Sequence, residues 1–220
     1  MLLKQLASVS GCSAASIKYY RREGLLPPGE YVTATRQDYG RVHLERLQLI
    51  HVMREVADAP ISAIRRLTEL LDDPQVPQIR ALQEAQAIAL GTPTTGEATD
   101  SDDVEHPTVG RLLSQMGWPD IDSVPRRALD EALKTLAAWE MPDEIDAVMR
   151  YAVPMTEVAR GDIEFIQQRP ADAGRVSSDV VVMRAAAGTI AFDRLMRALR
   201  ALGHVSLSVR SSEAEGGPAD

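Results

Sequence analysis

Apolar side chains recur at three- and four-residue intervals along nearly the whole chain, the spacing that lines one face of an α-helix. Leu2 to Val9 reads as a first helix and Ser13 to Gly24 as a second, with Ser13 placed to cap its start and Gly24 to end it in the left-handed conformation. Within the second, Ile17, Tyr20 and Gly24 share an inward face, whereas Ala15, Tyr19 and Arg22, flanked by Lys18, share an outward one. After Pro27-Pro28 the pattern changes to the strand formers Tyr31-Val-Thr-Ala-Thr35, suited to one arm of a small hairpin. Helical spacing returns over 40–55 through Val42, Leu44, Leu47, Leu49, Ile50 and Met53, breaks at Ala57-Asp58-Ala59-Pro60, and resumes through Ile61, Ile64, Leu67, Leu70 and Leu71.

Further on, Pro77 to Leu90 places Ile79, Leu82, Ala85, Ile88 and Ala89 near one stripe. Residues 91–107 lose all periodicity and carry five acids, the composition of a flexible acidic linker. Beyond it only helices are expected: 108–116; Ser123 to Trp139, stacking Leu129, Leu133, Leu136 and Ala137; and 142–168, which Pro154 should kink or divide. A last, long helix starts at Ser177 or Ser178 and is expected to end at Leu202, before Gly203. The predicted fold is therefore mainly α. A winged helix-turn-helix with a β-hairpin wing occupies 1–73, a connecting helix 74–90, the acidic linker 91–107, an all-helical domain 108–210, and a loose tail 211–220.

The connection Ser10-Gly11-Cys12 has the length found between the two helices of a helix-turn-helix, the geometry that lays a second helix in a DNA major groove. Short patterns of this kind also occur in proteins that never touch nucleic acid. Charge is informative here. The chain carries a net −8, yet residues 1–54 hold eight Lys/Arg against four acids, a net +4, which leaves −12 for the remainder. A basic module on an acidic body can neutralise phosphates locally. Four of the five tyrosines also fall at or before Tyr39, concentrating aromatic surface in that module. On these grounds Lys18, Arg21, Arg22 and Arg36 are candidate phosphate or base contacts, with Ser13 and Ser16 as neutral donors near the helix start. Tyr39 either touches the DNA backbone from the wing or packs against the wing, and Tyr20 belongs to the core.

Taken in order, Leu6-Ala7, Gly11-Cys12-Ser13, Ile17-Lys18-Tyr19-Tyr20, Gly24-Leu25-Leu26, Leu44-Glu45-Arg46-Leu47 and Ile61-Ser62-Ala63-Ile64 resemble the DNA-binding domain of the MerR family of bacterial transcription regulators, over about a third of the chain. Three departures stand out. Arg21 occupies a usually acidic position, Thr35-Arg36-Gln37 replaces the usual Gly-Tyr-Arg of the wing, and the link into the fourth helix is one residue longer. The resemblance implies a homodimer on double-stranded DNA at a palindromic promoter operator, with 74–90 as a connecting or dimerisation helix and 108–210 as an effector-binding or dimerisation domain. It also implies that Tyr19 touches the backbone and helps distort the operator, that Arg54 helps squeeze the duplex, and that the distortion acts indirectly on RNA polymerase. A solvated arginine is the alternative for Arg54, and a repressor would carry the same domain.

Metal- and redox-sensing members of that family need cysteines in the C-terminal segment, and none follows Cys12. The four histidines are scattered, with His43 and His51 too far apart along a helix for an i, i+4 chelate, so neither a metal nor a cofactor is expected. An organic small-molecule effector fits better. Trp118, Trp139, Tyr151, Phe165 and Phe192 could line an apolar cavity for it, or could simply form the core of a helical domain. No phosphate-binding glycine loop, His-Glu-x-x-His or Gly-x-Ser-x-Gly is present, and catalysis is not expected. A single cysteine and the lack of an 18-residue apolar run point to a soluble cytoplasmic protein without membrane contact. The competing class is an adaptor that uses the winged module to bind another protein; it would lack salt-dependent, sequence-selective DNA affinity.

Overall fold

The computed structural model describes residues 1–33, 37–91, 104–167 and 176–215. Most of them are helical. The first helix, α1 (Leu3–Ser10), ends at Gly11 with φ 73°, and α2 (Ala14–Arg22) follows at once. The wing consists of β1 (Glu30–Tyr31) and β2 (Gln37–Asp38), antiparallel, pairing Glu30 with Asp38 and Tyr31 with Gln37. The strand thus starts one residue before the expected Tyr31–Thr35 arm and is shorter, because Val32 and Thr33 already bend away. Gly29 is required there, since a Cβ on it would lie 2.6 Å from the Asp38 carbonyl oxygen.

Helix α3 (Arg41–His51) widens into a π turn over Val52–Val56 before α4 (Ile61–Asp72). A π turn spends an extra residue per hydrogen-bonded step. It is therefore a natural place to absorb the longer link noted in the sequence. Asp58, left-handed at φ 51°, turns the chain into Pro60. Leu6, Ile17, Leu25, Leu26, Leu47, Ile50, Met53, Ile64 and Leu67 fill one core beneath these elements. Each is an inward position of the helical spacing or lies in the turn after α2.

Helix α5 (Gln78–Leu90) buries Ala81 and Ala85 in that same core. Then α6 (Pro107–Met116), α7 (Val124–Ala138) and α8 (Ile145–Gln167) pack around Val109, Leu112, Leu133 and Ala147. Pro154 lies inside α8 without ending it. The last helix, α9, runs from Ser178 to Glu215, so Gly203 does not stop it. Glycine in a helix interior weakens it by only about 1 kcal/mol, less than the surrounding helical pattern supplies. Ser177 caps α9 by accepting a hydrogen bond from the Val180 N–H at 3.4 Å.

The first half of α9 returns to the N-terminal core, where Val182 and Ala186 are buried against α3 and α5. Two charged neighbours in α3 hold it there. Arg46, only 3% exposed, donates through Nε to Asp179 in the first turn of α9, through Nη2 to Asp72 at 2.6 Å, and through Nη1 to the Leu25 carbonyl at 3.3 Å. Burial by itself would lower the guanidinium pKa, but the bonds to Asp72 and Asp179 outweigh it and leave it raised. Glu45 accepts from Arg41 at 2.5 Å and from the Ser177 hydroxyl. The Arg41 bond is the largest influence and, with Ser177, it outweighs burial to hold the Glu45 carboxyl below its ordinary 4.5.

Removing one partner of a buried ion pair strands the other. Arg46→Met should therefore cost about 3 kcal/mol in urea unfolding, mostly by leaving Asp179 unpaired; a variant as stable as the parent would show that the pair contributes nothing. Because the Glu45 pKa is depressed on folding, its contribution is fully present above 4.5 and is lost as pH falls through the lowered value. Thermal unfolding at several pH values should show Glu45→Gln less stable than the parent near neutrality, with the gap closing in acid. A gap that stays constant with pH would contradict this assignment.

Candidate nucleic-acid interface

Helix α2 is fixed at both ends, which determines what it presents. At its start the Ser13 hydroxyl accepts from the Ser16 N–H at 3.0 Å and lies 2.8 Å from the Ser16 hydroxyl. At its end Gly24, at φ 76°, turns the chain so that the Leu25 N–H reaches the Tyr20 carbonyl at 2.9 Å. Only a residue at ease with positive φ can hold that turn. Arg65 of α4 then grips the C-cap, donating to the Glu23 carbonyl oxygen at 3.1 Å and to its carboxylate at 2.7 Å.

With Ile17 fully buried, the opposite side of α2 faces solvent. Lys18 and Arg22 are exposed, and the Arg22 guanidinium stands 5.3 Å over the Tyr19 ring. Tyr19 meets Tyr20 edge to face at 5.7 Å, and Tyr20 leans on the core, its pKa raised chiefly by burial. Ala15, Ser16, Tyr19 and Tyr20 form one wall of an open groove of about 370 Å³, closed by Arg54 from the π turn and Ile61 from α4. Arg54 is half-buried and donates to the Ala59 carbonyl at 2.7 Å, which steadies its head at the groove. A groove with a serine hydroxyl, a tyrosine edge and an arginine along one side, and exposed cations beside it, suits a phosphate backbone.

Arg21 faces the wing. Its Nη1 donates to the Tyr39 hydroxyl at 2.9 Å, and that hydroxyl donates to Gln37 at 3.1 Å. Tyr39 is 3% exposed and stacks edge to face on His43 at 5.1 Å, so of the two roles open to it the structure shows packing: it positions Arg21 instead of reaching out. His43 in turn accepts the Gly40 N–H through Nδ1 and donates through Nε2 to the Pro28 carbonyl, fastening α3 to the wing's base.

Residues 1–71 match the family model described as MerR HTH family regulatory protein. The crystal structure of SCO5550 from Streptomyces coelicolor A3(2), whose assignment as a transcriptional regulator is provisional, is 30% identical and superposes with a TM-score of 0.63 over 96% of this chain and 97% of that one. The chain belongs to the MerR family. The HTH-type transcriptional regulator ZntR homolog of Haemophilus influenzae is 34% identical over 70 residues, 32% of this chain and about half (51%) of that relative. The MerR match coincides with α1 to α4 and the wing, and so includes α2, the π turn and α4, which build the groove.

Of the residues singled out in the sequence, Ser13, Ser16, Lys18, Tyr19, Arg21 and Arg22 lie on or beside α2, and Arg54 joins them across the groove. Arg36 lies outside the described residues, as does the side chain of Phe165. The effector aromatics need correction. Trp139 is 72% exposed at the end of α7, Tyr151 and Phe192 are each 52% exposed, and Trp118 is 37% exposed, so these four stand at the surface instead of enclosing a cavity. The buried side chains of α6 and α7 are instead the aliphatic Val109, Leu112, Val124 and Leu133. Arg46, Glu45 and Arg65 were not anticipated as positioning residues. The signal available was a pair of charges embedded between Leu44 and Leu47, where helical spacing leaves little room for a solvated face.

Tyr39→Phe removes the hydroxyl that links Arg21 to Gln37 while keeping the ring. It should destabilise the domain by about 1 kcal/mol in urea unfolding; an unchanged midpoint would mean that the hydroxyl does not hold the wing to α2.

Proposed function

We propose that this MerR-family protein is a transcription regulator that binds a palindromic promoter operator as a dimer and distorts it through α2 and the adjoining groove. The reading rests most on one observation: Lys18, Tyr19 and Arg22 stand exposed on a helix held rigidly at both ends, beside a groove closed by Arg54. In this reading the N-terminal residues of α2 enter the major groove, Lys18 and Arg22 meet phosphates or base edges, and Tyr19 with Arg54 presses on the backbone. Bending a short site costs on the order of 1–6 kcal/mol, which several such contacts can offset. Among the described residues Trp139, Tyr151 and Phe192 stand exposed on a single chain, so an organic effector is not part of this proposal.

Selection of bound fragments from genomic DNA by the purified protein tests the reading. A common palindrome should emerge, with affinity that falls steeply as salt rises. Tyr19→Ala and Arg22→Ala should each weaken binding by roughly tenfold to a hundredfold, the effect of losing about 1–3 kcal/mol. Fragments without a common sequence, or variants that bind like the parent, would instead favour a protein-binding role for the winged module.

A further inference from the structure

Charge along the chain changes sign twice. Residues 1–54 carry a net +4, residues 55–183 hold eleven Lys/Arg against twenty-four acids, a net −13, and residues 184–210 hold five arginines against the single acid Asp193, again a net +4. That last basic stretch lies wholly within α9. A solvated helix face ordinarily interleaves both signs, whereas a block of one sign on a body of the other marks a surface for an oppositely charged partner.

The placement of the stretch follows from how α9 leaves the core. Asp179 meets Arg46 in the middle of α3, and Arg194 donates to the Val56 carbonyl at the close of the π turn at 3.2 Å, so α9 runs alongside α3 in the same direction and outlasts it. The buried positions Val182, Ala186 and Ile190 begin a stripe that continues at the same helical spacing through Asp193, Arg197, Arg200 and His204, these four exposed. The side of α9 that turns toward the N-terminal domain is thus apolar beside α3 and cationic beyond the π turn. That π turn also supplies Arg54 to the groove along α2. Asp193 pairs with Arg197, and Arg200 stands 5.3 Å over the Tyr151 ring with a 3.4 Å hydrogen bond to its hydroxyl. Both contacts are exposed, so they stabilise little and leave guanidinium donors facing solvent. Arg184 and Arg210 fall on other faces, Arg210 beside Val209 and in line with Phe192 and Leu199. From Arg194 to His204 the helix rises about 15 Å, the axial length over which one DNA strand presents about four phosphates.

We propose that the stripe of Arg197, Arg200 and His204 is a second nucleic-acid contact, which takes phosphates of the duplex flanking the segment held by α2 and Arg54. It rests on the DNA-binding reading above and extends it to the C-terminal helix. Backbone contacts of this kind add affinity and carry no sequence information. Equilibrium binding of the full chain across a range of salt tests it, on a duplex carrying the selected palindrome within flanking sequence and on a random-sequence duplex of equal length. The double variant Arg197→Gln/Arg200→Gln should reduce the slope of log affinity against log salt by about 2, one for each lost phosphate contact, and should weaken binding roughly tenfold on both duplexes alike. Arg197→Lys/Arg200→Lys, which keeps the charges, and Arg210→Gln, on another face, should retain the parental slope, with the same helical circular dichroism in all. A Gln double variant with the parental slope overturns the proposal and leaves the stripe to an acidic protein surface. So does an Arg210→Gln variant that loses as much, or a Lys double variant that behaves like the Gln one. The two readings fail separately. A parent that selects no palindrome, yet binds the random duplex with a slope that the Gln double variant reduces, removes the sequence-selective regulator and keeps the α9 contact. Palindrome selection by a Gln double variant of unchanged slope removes the α9 contact alone.

Discussion

The buried guanidinium of Arg46 is the point on which the architecture closes. It joins four segments at once: α3 that carries it, the turn after α2 through the Leu25 carbonyl, the end of α4 through Asp72, and the start of α9 through Asp179. A buried cation is tolerated only when its donors are satisfied, and here the fork of the guanidinium finds carboxylates on two sides. The consequence is geometric. The recognition helix, the wing's support and the C-terminal helix share one core, and a displacement of α9 would be felt at the turn that ends α2.

A second set of restraints tunes the recognition helix itself. Arg65 fixes its end through Glu23, Ser13 its start, and the Arg21–Tyr39–Gln37 chain ties its flank to the wing. What remains free is the face bearing Lys18, Tyr19 and Arg22. Such a division between fastened and exposed charges is what separates a helix that merely carries arginines from one that presents them, because long cationic side chains on an unanchored helix would meet phosphates only at a large entropic cost.

Much of this was legible from residue order. The inward spacing of Ile17, Leu47, Ile50, Ile64 and Leu67 predicts the helices that bury them, and Ser13 and Gly24 mark the ends of α2 as capping chemistry requires. The boundaries failed where tertiary packing overrides local preference. Gly203 reads as a stop but lies inside α9, Pro154, read as a kink or a divider, does not divide α8, and Tyr31–Thr35 reads as a strand longer than the wing uses. The aromatic residues after the linker were expected to gather, but periodicity reports only that a position lies on a face, not that two faces meet around a space. Least legible was the return of α9 to the N-terminal core. Arg46 and Asp179 are 133 positions apart, and nothing local to either predicts the other.

The central claim is that the first half of α9 belongs to the same cooperative core as the DNA-facing helices. Native-state amide hydrogen exchange measures this directly, because segments that unfold together exchange with one free energy. Amides of 182–190 should exchange with the same opening free energy as those of α3, and Asp179→Asn should release the α9 segment earlier than α3. If 182–190 exchanges as freely as an isolated helix in the parent protein, α9 is not part of that core and the account is wrong.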